Sequence, residues 1–167
     1  MPRCSLERDD STQFRLDEIY RIIEQCRYAI HDISRMEPDL KTNLPRFNMP
    51  LELGVFLGVR RFGPSLQKKK QCMILERKPY RYQKSTSDLA GQNIHVHKNQ
   101  PQLAVLEVRN WLRTIRRIKR CGPEIWFRYM RFRRDLPKIC KRLKMFPEDL
   151  TYVDLCSVIV DWQRENP

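Results

Sequence analysis

The chain has 167 residues, 41% of them hydrophobic, which suits one ordinary domain with a small appendage and excludes a chain disordered throughout. Its apolar runs, such as Val158-Ile159-Val160, fall far short of the roughly 20 residues of a membrane span, and no apolar signal block follows Met1; the expected setting is the cytoplasm. The formal net charge is +13, unevenly spread: between Arg109 and Lys144, 14 Lys and Arg face two acids, Glu124 and Asp135, while the remainder is near neutral. The six cysteines include no Cys-x-x-Cys pair. Neither a zinc site nor a disulfide framework is expected, and the thiols read as reduced and mostly buried.

In chain order, residues 2–7 alternate weakly and read as a short strand ending at Glu7. Leu16, Ile19, Tyr20, Ile23 and Cys26 recur at helical spacing and predict an amphipathic helix over 12–26. Tyr28 to Ile33 is an apolar strand whose C-terminal end carries Asp32 and Ser34. After a proline-containing loop over 36–47, Asn48 is the expected N-cap and Pro50 lies in the first turn of a helix reaching Arg61, ended by Gly63-Pro64. Gln71 to Glu76 reads as a buried strand, and a short helix ends near Leu89. Residues 93–97 form a short strand and 102–114 a helix. Residues 123–145 and 147–164 look helical, split at Phe146-Pro147.

This alternation predicts a three-layer α/β domain with a largely parallel sheet over residues 1–114, and a basic helical extension over 115–167. In such sheets ligands bind where the strands end and the helices begin. The polar groups expected there are Glu7, Asp32, Ser34, Asn48 and Glu52. Glu52 is a lone carboxylate near the start of an otherwise apolar helix, where the macrodipole favours its ionised form. Gly54 and Gly58 read as sites of close backbone approach. His31 reads as a core histidine, and His95 and His97 as strand residues on one face rather than metal ligands. No metal site is expected.

Asp32-Ile33-Ser34 followed by Arg46-Phe47-Asn48-Met49-Pro50-Leu51-Glu52-Leu53-Gly54 resembles the pattern of the TIR-like and nucleoside 2-deoxyribosyltransferase-like superfamily. Within it, Tyr28 to Ser34, Arg46 to Gly54 and Ser87 to Gln92 are similar to an uncharacterised bacterial group. The resemblance covers residues 2 to about 114 and implies a flavodoxin-like or TIR-like sheet. It implies that Glu52 faces a ribosyl C1′, that Asp32 and Ser34 contact ribose or base, and that Arg46 meets a phosphate, with Asn48 and Asp88 further substrate-binding candidates. The implied substrates are a nucleoside, a nucleotide or NAD, cleaved at the N-glycosidic bond without a separate cofactor. Members of the superfamily open with a further strand and helix, so the pattern implies a truncated pocket and free strand edges that favour self-association.

The alternative reading is a non-catalytic module. Arg113 to Arg120 and Trp126 to Arg134 interleave cations with apolar side chains, as expected of helices with one buried and one basic face. Residues 109–144 would then bind nucleic acid or an acidic protein without sequence specificity.

Overall fold

The structure, a computed structural model, describes residues 2–115 and 120–167. Its sheet has three parallel strands in the order β1 (Tyr28–Asp32), β2 (Gln71–Glu76), β3 (Ile94–Val96). α1 (Arg15–Gln25) precedes β1, α2 (Asn48–Phe62) connects β1 to β2, and α3 (Pro101–Ile115) follows β3. Two helices, α4 (Gly122–Arg142) and α5 (Tyr152–Glu165), complete the chain. The architecture is α/β, with parallel neighbours joined by long crossovers as parallel pairing requires.

The apolar periods place each element's inner face. Leu53 and Phe56 of α2 are fully buried. Leu53 packs with Ile33, Met36, Ile74 and Tyr82, with Cys72 and Ile94 alongside. Register puts Ala29, Cys72, His31, Ile74 and Ile94 on one face of the sheet, the face that α2 covers. Side chains of the opposite parity meet α3: Tyr28 lies edge-on to Trp111, and His95 Nδ1 is 2.7 Å from Glu107 Oε2. Each large apolar side chain buried this way contributes about 1.5–3 kcal/mol.

The N-terminal ends of the strands are tied to α1 by one cation. Lys70, 2% exposed just before β2, directs its ammonium to the carbonyls of Ile23, Glu24 and Cys26 at the end of α1. A positive charge there satisfies otherwise unpaired carbonyls and complements the helix dipole. Gln67 Nε2 adds a bond to Glu24 O.

α4 and α5 enclose a separate core of Phe132, Val158 and Trp162. α4 begins hard against α3: a Cβ on Gly122 would stand 2.3 Å from Leu106 Cδ2, so this junction requires glycine or a displaced leucine. α5 opens with a capping box, in which the Thr151 side chain and Asp154 carboxylate satisfy each other's backbone N–H groups.

Several sequence expectations are corrected. Residues 2–7 form a turn, not a strand: the Glu7 carboxylate takes Arg3 Nε and the Cys4 N–H, and this local closure replaces a sheet ladder. Glu7 is therefore not at a strand end. Phe47, not Asn48, occupies the N-cap of α2; its carbonyl receives the Leu51 N–H, and Asn48 is the first helical residue. Gly54 and Gly58 have open space where a Cβ would stand, so neither marks a close approach. Of the cysteines only Cys140 is fully buried and Cys121 is exposed, though all six are free. Part of the basic run, Arg116 to Lys119, lies outside the described residues. No helix of the described residues is long and apolar enough to cross a membrane.

Candidate functional site at the C-terminal edge of the sheet

Chain direction brings polar groups to one end of the sheet. Asp32 ends β1, Glu76 ends β2, and His97 immediately follows β3, its N–H bonded to Glu76 O. The α2 N-terminus follows the loop leaving β1. α1 has its C-terminus at the opposite edge, held by Lys70, which leaves Arg15 towards this one. Parallel strands produce this concentration of side chains and helix N-termini at a single edge.

Asp32 Oδ1 accepts the Ser34 N–H at 3.0 Å, a closed turn that fixes the carboxylate beyond the strand. His97 Nε2 approaches the same oxygen to 3.7 Å across the end of β2. His97 is buried while Asp32 is half exposed, and Nε2 has no hydrogen-bond partner among the described residues. A buried imidazole nitrogen facing a half-solvated carboxylate has unused hydrogen-bonding capacity directed at the site.

Beside them lies an ionic network that the sequence did not announce. Glu76 is wholly buried; its Oε1 accepts Arg81 Nε at 3.0 Å, Arg81 Nη2 at 2.8 Å and the Arg77 N–H at 2.6 Å. Arg81 also donates to Ser34 O and Ile33 O, fastening the segment after β1 to the end of β2. Its Nη1 reaches Glu37 Oε1 at 3.0 Å, and Arg77 Nη2 contacts the same oxygen. A buried carboxylate is sustained only by such pairing and by N–H donors. The available signal was Glu76 itself, a charge closing an otherwise apolar strand and followed by a second charge.

The residues singled out in the sequence sit as follows. Glu52 lies in the second turn of α2, half-buried; burial pushes its carboxyl above the usual range, and the Arg15 charge opposes that shift. Ser34 is buried. Asn48 and Arg46 are exposed, and Arg46 acts on Asp39 in the loop before α2. Asp88 is exposed in the 3-10 turn Ser87–Leu89. His31 is buried edge-on to Phe56 with both ring nitrogens unpartnered among the described residues, and burial pushes it down to about 4. It is a core histidine, but not a hydrogen-bonded one.

A groove of about 760 Å³ runs between α1 and α2, lined by residues including Tyr20, Arg21, Gly58, Val59 and Phe62. A smaller one of about 230 Å³ lies between α4 and α5. Glu52, Asp32 and Ser34 line neither. Among the described residues no cluster of three or more His, Cys, Asp or Glu is arranged to hold a metal ion. Comparison with protein-family models, curated proteins and solved structures returns no match.

Proposed function

We propose that the C-terminal edge of the sheet binds a nucleoside, a nucleotide or NAD, and that Glu52 serves cleavage of its N-glycosidic bond. The observation that carries this reading is the approach of His97 to Asp32 at the C-terminal end of a parallel sheet, the end at which α2 also begins. Helices meeting side chains of opposite parity support a three-layer, flavodoxin-like or TIR-like arrangement. The resemblance of residues 46–54 to the superfamily motif supports Glu52 as the acting carboxylate.

In that reaction the C1′–N bond breaks and its electron pair leaves with the base. A carboxylate at C1′ stabilises the oxocarbenium-like centre or bonds to it, and water then supplies hydroxide to C1′ and a proton to the products. Asp32, with an oxygen open to solvent, accepts from ribose hydroxyls, and the Ser34 turn holds it in place. The test is base release from NAD and from nucleosides by the purified chain and by Glu52→Gln. Turnover is expected in the wild type, with a loss of at least about a hundredfold in the variant. An inert wild type, or a variant of equal activity, overturns the catalytic reading.

A second reading draws on α4. With Phe132 turned onto Trp162, the other side of the helix presents Arg134, Lys138 and Lys141 to solvent. Such a row suits a phosphate backbone, and its signature is affinity for DNA or RNA that falls steeply with salt. Binding that ignores salt would dismiss it.

A further inference from the structure

Arg46, the residue expected to meet a phosphate, is exposed in the loop before α2, whereas two other guanidiniums converge at the sheet edge itself. Arg77 and Arg81 both direct an Nη group at one oxygen of Glu37. Arg81 differs from an ordinary surface arginine in being held. Arg81 is 18% exposed at its side chain and anchored through Nε and Nη2 to the buried Glu76 and to two carbonyls after β1. The Arg77 backbone N–H donates to Glu76 Oε1, which fixes the chain at this residue, while its guanidinium meets Glu37 and its enclosed Nε has no acceptor among the described residues. The Arg81 guanidinium is therefore positioned by contacts that do not involve Glu37, and Arg77 brings a second guanidinium, with an unused enclosed Nε, to the same oxygen.

Glu37 is the loosely held member. Its side chain is 41% exposed, it stands on a loop, and Arg77 and Arg81 are the ion-pair partners found for it. A partly solvated carboxylate gains little from such pairing, so a stronger anion can displace it. A phosphate group is that anion: it carries more charge, offers more acceptor oxygens, and matches the planar fork of arginine.

We propose that Arg77 and Arg81 form a phosphate-binding site at the C-terminal edge of the sheet, on which the Glu37 carboxylate competes with the ligand. Nη1 of Arg81 and Nη2 of Arg77 are the donors exchanged. Glu76 keeps Arg81 in place throughout, and Glu37 swings into solvent. The proposal rests on the nucleotide reading above for the identity of the phosphate's carrier, and it makes the 5′-phosphate or diphosphate of that ligand the specificity handle.

The experiment is calorimetric titration of the whole chain with inorganic phosphate, a nucleoside, its 5′-monophosphate and NAD. It is repeated for Glu37→Gln and Arg77→Gln, with circular dichroism checking the fold. The monophosphate should bind more tightly than the nucleoside. Arg77→Gln should weaken monophosphate binding at least about tenfold, and Glu37→Gln should strengthen it about threefold, while neither alters nucleoside binding. Inorganic phosphate should compete with the monophosphate; failure to do so removes the site as drawn. If Arg77→Gln does not fold, the gain in Glu37→Gln decides alone, because an ion pair serving structure only predicts no gain there. Equal binding of nucleoside and monophosphate, indifferent to both substitutions, overturns the phosphate site and leaves the nucleotide reading standing. Binding of none of the four ligands overturns both.

Discussion

The sheet region and the α4–α5 pair handle charge in opposite ways. Around the sheet, charged and polar side chains are buried: Glu76, His31, His97 and Lys70 all lie within the molecule. In the α4–α5 pair the core is Phe132, Val158 and Trp162, and the charges lie outside it. Burying a charge costs free energy unless partners compensate it, so a region that does so repeatedly has placed those groups for a reason. Of these, Glu76 and His97 stand at the C-terminal edge of the sheet, beside Asp32, while the helical pair requires only that its apolar faces meet.

The contrast can be broken most severely at Trp162. Its indole N–H donates to Asp135 Oδ2 at 3.1 Å, its ring meets Phe132 edge-on, and the guanidiniums of Arg128 and Arg131 lie over it at 5.5 and 5.9 Å. Trp162→Ala should cost about 3–5 kcal/mol, measured by urea unfolding, and should raise amide exchange in α4 and α5 before the sheet.

Lys70→Met tests the opposite case, a buried cation whose value is its three carbonyl partners. Leaving them unpaired should cost about 2–4 kcal/mol, and exchange should rise at the end of α1. A neutral result would mean the carbonyls find water and Lys70 is not a tie.

His31 sharpens the comparison through pH. Its folded pKa, near 4, lies below the ordinary value of 6.5 because burial opposes the charged form. The unfolded chain therefore binds more protons between these values, and stability falls as pH drops from about 6.5 to about 4. One group shifted this far removes up to about 3 kcal/mol across that window. Thermal unfolding of His31→Leu should lose this part of the acid slope. An unchanged slope would place the sensitivity elsewhere.

The smallest effect belongs to the α5 cap. Thr151→Ala removes the side-chain half of the capping box and should cost about 1 kcal/mol, read in the melting temperature.

Much of the fold was legible in advance. The β2 residues Gln71 to Glu76 read as a strand because a short apolar run follows the charged Lys68-Lys69-Lys70, and α2 read as a helix because Pro50 and Gly63 punctuate it. Residues 2–7 misled because weak alternation looks the same in a strand and in a turn closed by its own carboxylate. The candidate site was legible only on the chain segment that carries Asp32, Ser34 and Glu52. Arg81 stands 44 positions from Glu37, and no local pattern links two residues across that interval.

Periodicity and punctuation by themselves located the five α-helices and the three sheet strands of the described residues, though not the turn at residues 2–7, because those preferences act over a few neighbouring residues. Folding alone decided that Glu76 is buried, that Asp32 and His97 face each other over the end of β2, and that two arginines share one glutamate. Those outcomes depend on strand order and register, which bring distant segments together and exchange water for fixed partners.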